Sequence, residues 1–88
     1  MKTIDMLLAY FGGNPIIPFE DAAEYLRYKP DTLKHKIDNG KIRVPYFSIE
    51  DDSQKAQKYL SLIGIAALID MQHTAALEKF DSSWAEQT

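Results

Sequence analysis

The stretch from Pro18 to Arg43 admits few folds, because Pro18, Pro30 and Gly40 divide it into two segments, each the length of a short helix. Phe19, Ala22, Ala23 and Leu26 recur at i, i+3, i+4 and i+7, which lines them along one stripe of a helix. Glu20, Asp21 and Glu24 crowd its first turns, where negative charge complements the helix dipole. Tyr28 and Lys29 break the pattern. Pro30 suits the first position of a second helix, since no backbone N–H is needed there. Asn39-Gly40 stops that helix, because glycine readily takes the left-handed conformation that closes helices. Two short helices about a tight turn are the plan of a helix-turn-helix unit.

The second helix can be read face by face. With Leu33 and Ile37 inward, a step of about 100° per residue points His35 outward. Thr32, Asn39, Asp31 and Asp38 lie beside His35, and Lys34 and Lys36 fall on the flanks. That layout suits the major groove of double-stranded DNA, with hydrogen-bonding groups central and ammonium groups where phosphates run. Asn39 can pair two-pronged with adenine, and Thr32 can meet a base edge or a thymine methyl. A solvated surface helix would carry the same residues, so the flanking sequence has to decide. Net charge is −3 for the 88 residues, yet the segment from Arg27 to Arg43 holds six basic residues against two acids. It therefore carries +4 on a body of −7, the footprint of a local nucleic-acid surface. Lys29, Lys41 and Arg43 join the helix residues as expected phosphate contacts.

Thr3 is the expected N-cap of a first helix with Ile4, Leu7, Leu8 and Phe11 inward, and Gly12-Gly13-Asn14-Pro15 ends it. Ile16 and Ile17, between two prolines, suggest a very short strand at a sheet edge. Ile42, Val44, Tyr46, Phe47 and Ile49 favour a strand that Pro45 confines to an edge or a bulge. Glu50 to Ser53 forms a polar tip, and Lys55 to Leu60 returns as the second strand. A hairpin in this place is a wing, on which Gln54, Lys55, Gln57 and Lys58 could reach phosphates. Ser61 caps a final helix from about Leu62 to Phe80, with an apolar side of Leu62, Ile65, Ala66, Ile69, Ala76 and Phe80. That side is wider than one small body needs. Its N-terminal half is expected on the first helix and the remainder against a second subunit. Residues 1–80 thus read as one domain and 81–88 as a polar, frayed tail, with Trp84 docking on the body.

Composition excludes several classes. The apolar share of 45% and charged share of 26% belong to an ordinary globular domain. No run of about 18 apolar residues suggests a membrane span, and the absence of cysteine fits a cytoplasmic protein and removes thiol chemistry. No phosphate-cradling glycine loop is present, Asp70 with His73 gives too few ligands for a metal, and no cofactor is expected. An enzyme is not the expected reading.

Three segments together, IDMLLAYFGGNPIIPFEDAAEYL, KIRVPYFSIEDDSQKAQKYLSL and IAALIDMQHTAALE, resemble the pyocin activator protein PrtN family. The YFGGNPIIP segment and the SQKA tetrapeptide from Ser53 to Ala56 are its most specific features, whereas the helix-turn-helix alone would also suit excisionase-type and MerR-type folds. One position departs from the family pattern: Gly64 stands where an acidic residue commonly opens the last helix. The resemblance implies an α+β winged helix-turn-helix domain with a long C-terminal helix, acting as a transcription activator of prophage or bacteriocin genes. By position, Thr32 to Asn39 would be the recognition helix, and Ser53, Gln54 and Lys55 would lie on the wing. The expected partners are double-stranded DNA, a second copy through the C-terminal helix, and RNA polymerase. Two other functions fit the same pattern: an excisionase-like factor that bends DNA, and a protein-binding adaptor without DNA binding.

Overall fold

The computed structural model describes residues 1–51 and 55–87. Helix α1 (Thr3–Tyr10) leads through strand β1 (Ile16–Pro18) into helices α2 (Phe19–Tyr25) and α3 (Pro30–Asp38). Strands β2 (Tyr46–Ser48) and β3 (Lys58–Ser61) follow, and a long helix α4 (Leu62–Gln87) completes an α+β fold. The three strands form one antiparallel sheet in the order β1-β3-β2. Ile17 lies opposite Leu60 on one side of β3, and Tyr46 lies opposite Leu60 on the other. The core gathers around Leu33, Leu60, Leu62 and Ile65, all fully buried, with Leu7, Ile17, Phe19, Ala22, Ala23, Val44 and Ala66 closing it.

The first three helices end alike. After each C-cap the chain turns left-handed, and the next N–H reaches back to a carbonyl five residues earlier, which satisfies a helix-end acceptor. At α1 the left-handed residue is Gly12 (φ 68°), and Gly13 donates to the Leu8 carbonyl at 2.7 Å. At α3 it is Gly40 (φ 76°), with Lys41 donating to Lys36 at 2.9 Å. At α2 the position is held by Arg27 (φ 66°), with Tyr28 donating to Ala23 at 2.8 Å. The turn between α2 and α3 is therefore a left-handed arginine, a conformation that costs any residue with a Cβ about 1–2 kcal/mol.

Several boundaries differ from the sequence reading. Thr3 is inside α1 and Lys2 is its N-cap, with the Lys2 backbone N–H donating to the Asp5 carboxylate at 3.2 Å. The Thr3 hydroxyl is drawn away by a stronger acceptor, Asp70 of α4, at 2.6 Å. Strand β2 begins only after Pro45, which has no N–H for a ladder. Ile42 and Val44 precede the strand, and Val44 is buried close to Gly64, where an added Cβ would lie 3.3 Å from Val44 Cγ2. The returning strand is likewise shorter, starting at Lys58.

Ser61 caps α4 as its sequence suggests, its Oγ accepting from the Ile63 N–H at 3.2 Å. The Leu62 N–H donates to the Pro15 carbonyl at 2.9 Å, tying the helix start to the approach of β1. Leu62, Ile65 and Ala66 are buried, Leu68 and Ile69 half-buried, and every residue from Asp70 to Trp84 is exposed. The helix runs on to Gln87, beyond Phe80, and stretches the molecule to 56 × 31 × 20 Å. Trp84 is 62% exposed and does not dock on the body, because α4 carries it away from every other element.

The left-handed positions Arg27 and Gly40 should respond oppositely to substitution. Arg27→Gly should raise stability by about 0.5–1 kcal/mol, the relieved strain less the extra entropy of an unfolded glycine. Gly40→Ala meets nothing within 4 Å of its new Cβ, so a loss of about 1 kcal/mol would be backbone strain alone. Urea midpoints of the two variants against the parent chain measure both, and a lower midpoint for Arg27→Gly contradicts the assignment.

Candidate nucleic-acid interface

Helix α3 is seated by very little. Leu33 is its one buried side chain, and Ile37 is half-buried. The rest of the helix is consequently displayed: Asp31, Thr32, Lys34, His35, Asp38 and Asn39 are exposed, and Lys36 is half-buried. Pro30 stands at its first turn and Lys29 is its exposed N-cap, so one basic side chain enters the helix from its start. Lys41 and Arg43 are exposed just beyond its end.

The displayed side chains are held among themselves. The Asn39 amide lies 3.1 Å from His35 Nδ1, one helical turn away. The same amide nitrogen lies 3.3 Å from His35 Nε2, so the tautomer sets which ring nitrogen accepts. This pair fixes the middle of the face, and it leaves the Asn39 carbonyl oxygen free to accept. A two-pronged contact with adenine would need both ends of the amide, so Asn39 must exchange His35 for the base.

Lys34 is less available than its position in the sequence suggests. Its ammonium bonds Asp38 at 3.2 Å and sits 5.7 Å from the centre of the Tyr46 ring. The Tyr46 hydroxyl donates to the other Asp38 oxygen at 2.7 Å, and the same ring meets Phe19 edge-on at 5.6 Å. Tyr46 thus clips β2 to both α2 and α3. Lys36 extends over Tyr28, its ammonium 5.9 Å from that ring, which steadies the stem while the charge stays near the surface.

The clip has a defined electrostatic signature. The hydrogen bond from Tyr46, and after it that from Lys34, holds the Asp38 carboxyl below the usual carboxylate range. Asp38 in turn raises the Lys34 ammonium and the Tyr46 phenol above their usual values, through hydrogen bonding first. A lowered carboxylate contributes stability above the ordinary aspartate value, about 3.9, and loses it as pH falls through the folded-state pKa. A raised lysine or tyrosine contributes below its ordinary value, about 10, and loses it as pH rises through the folded-state pKa. The arrangement is therefore whole across the neutral range.

The hairpin of β2 and β3 stands beside this helix. Lys55 is exposed near its tip, whereas Lys58 is half-buried within β3, opposite Ser48. Ser53 and Gln54 lie outside the described residues. Gln57 does not reach outward, because its amide donates to the Glu20 carboxylate of α2 and to the Lys58 carbonyl, both at 2.8 Å. Among the described residues, Lys34–Asp38 is the one ion pair. None of Lys29, Lys41, Arg43 or Lys55 is ion-paired among the described residues. Sequence reasoning passed over Tyr28 and Tyr46, the two aromatic supports of the lysines. Only the i, i+4 spacing of Lys34 with Asp38 hinted that one of those lysines was engaged.

These elements define a small α+β protein that displays an exposed helix with basic flanks beside a hairpin. The model of the family described as pyocin activator protein PrtN matches residues 3–76, and the chain belongs to that family. Membership gives it a role as an activator of phage or pyocin genes. No curated protein and no solved structure matches the chain. Among the described residues, no helix is long and apolar enough to cross a membrane.

Replacing Tyr46 by Phe tests the clip. The carboxyl carbon of Asp38, followed by NMR across the acid range, should titrate at a higher pH in Tyr46→Phe, back toward about 3.9. An unchanged midpoint would assign the shift to Lys34 alone.

Proposed function

We propose that this chain is a sequence-specific DNA-binding transcription activator built as a winged helix-turn-helix. Helices α2 and α3 form the helix-turn-helix, α3 enters the major groove, and the β2–β3 hairpin is the wing on the neighbouring backbone. The observation that carries this reading is the freedom of α3. Its apolar seat is Leu33 and Ile37, and Asp31, Thr32, Lys34, His35, Asp38 and Asn39 are exposed between basic flanks.

In this reading Thr32, His35 and Asn39 face base edges, while Lys29, Lys36, Lys41 and Arg43 hold phosphates. Lys34 contributes after its contact with Asp38 loosens, and Lys55, Ser53, Gln54 and Lys58 are assigned to the wing side. The acidic remainder of the molecule is repelled by DNA, which favours one docking orientation over the others. Activation brings RNA polymerase in as a second, protein partner.

Two variants separate base reading from phosphate holding. Asn39→Ala should cost about 1–3 kcal/mol at one base position and relax preference there. Arg43→Ala should weaken every sequence alike and reduce the salt slope by about 1. Oligonucleotides selected from a random pool, then titrated at several salt concentrations, provide both readouts. Unaltered binding by both variants would remove α3 from the groove.

A further inference from the structure

Helix α4 outruns the body that it packs on. Its buried stripe is Leu62, Ile65, Ala66 and, half-covered, Ile69. The same stripe continues at heptad spacing through His73, Ala76 and Phe80, with Leu77 and Trp84 along its edge. Helix α1 covers the stripe only as far as its own N-terminus, which the Thr3–Asp70 hydrogen bond fixes at 2.6 Å. Beyond Asp70 nothing among the described residues covers it. Leu77 is 48% exposed, Phe80 63% and Trp84 62%, all on an arm that reaches away from the core.

We infer that this arm is the interface for a second copy of the chain, with the seam of His73, Ala76, Leu77, Phe80 and Trp84 packing on itself about a two-fold axis. Three observations select that occupant. The seam has the a/d repeat of paired helices, and one such surface is complementary to its own copy in a two-fold pair. The arm from Asp70 onward is about 27 Å long, and two laid together would bury on the order of 1,200 Å², the lower edge of what stable interfaces bury. Its charge runs against a polyanionic occupant: Asp70, Glu78, Asp81 and Glu86 outnumber Lys79, which suits neither DNA nor an anionic lipid surface. An isolated helix of this length is marginal in water, so the arm also needs the partner for its own order. This inference concerns the chain alone and holds whether or not α3 binds DNA.

Sedimentation equilibrium of the full chain without DNA is the test. At tens of micromolar, a species of twice 10.0 kDa is expected. Phe80→Glu and Trp84→Glu should each weaken association at least tenfold and return the chain to monomer at that concentration. Ser82→Lys, on the opposite side of the arm, should leave the dimer intact. Circular dichroism of the parent chain should lose helix signal on dilution through the dissociation range. A parent chain that sediments as a monomer at every concentration overturns the inference, even if DNA later brings two copies together. So does a Ser82→Lys variant that dissociates as readily as Phe80→Glu.

Discussion

One buried leucine decides what the rest of the molecule can present. Leu33 is fully excluded from solvent, and α3 has no other buried side chain. Burying a leucine is worth roughly 1.5–3 kcal/mol, enough to orient a nine-residue helix only if its ends are also closed. They are. Pro30 at the start needs no hydrogen bond, and Gly40 at the end returns the Lys41 N–H to Lys36. With one face settled, the other faces follow from helical geometry alone. A second large apolar residue on the outer side would have pulled α3 flat against the body and buried Thr32, His35 and Asn39.

Charge follows the same division of labour. The helix and its flanks concentrate cations, but the protein does not leave every cation free. Lys34 is committed to Asp38 and Tyr46, a contact between exposed groups that contributes little to stability. Its value is geometric, since Tyr46 also meets Phe19, and so the base of the hairpin is set against α2 and α3 at once. Gln57 bonded to Glu20 does the same at the other strand. The hairpin is thus positioned by polar contacts on two sides. Lys29, Lys41, Arg43 and Lys55, for which no ion pair is present among the described residues, lie on exposed chain at or near the ends of α3 and the hairpin tip.

Most of the architecture could be read in the residues because periodicity and punctuation agreed. The stripe of Phe19, Ala22 and Ala23 is buried, the Ile16-Ile17 strand is an edge strand, and Ser61 caps α4. Where the sequence misled, a long-range contact outweighed a local preference. The Thr3 hydroxyl found Asp70, sixty-seven residues away, instead of capping its own helix. Val44 looked like strand and went into the core beside Gly64, a glycine whose use appears only when that contact is seen. The α2–α3 turn carries arginine where glycine would have announced it. At the candidate site, the outward set of Thr32, His35 and Asn39 was legible from spacing. The Tyr46 and Tyr28 supports were not, because no local rule joins residues eight apart across a turn.

The way α4 leaves the sheet bears on how any paired copy would be placed. Strand β3 ends at Ser61 and the helix begins at Leu62, with no loop residue between them. The junction is held by the Ser61 cap, by the Leu62 bond to Pro15 and by Val44 against Gly64. Motion of the arm relative to α3 would have to break these contacts together, since no flexible linker absorbs it. A flexible tether lets two binding units serve many separations, because its reach is a broad distribution. A helix fused directly to the core strand removes that distribution and would leave one separation between the α3 helices of two paired copies. In the proposed role, the spacing of two half-sites on DNA would then be set by the length and crossing of the two α4 arms, and hence by where along the seam Phe80 and Trp84 meet their copies.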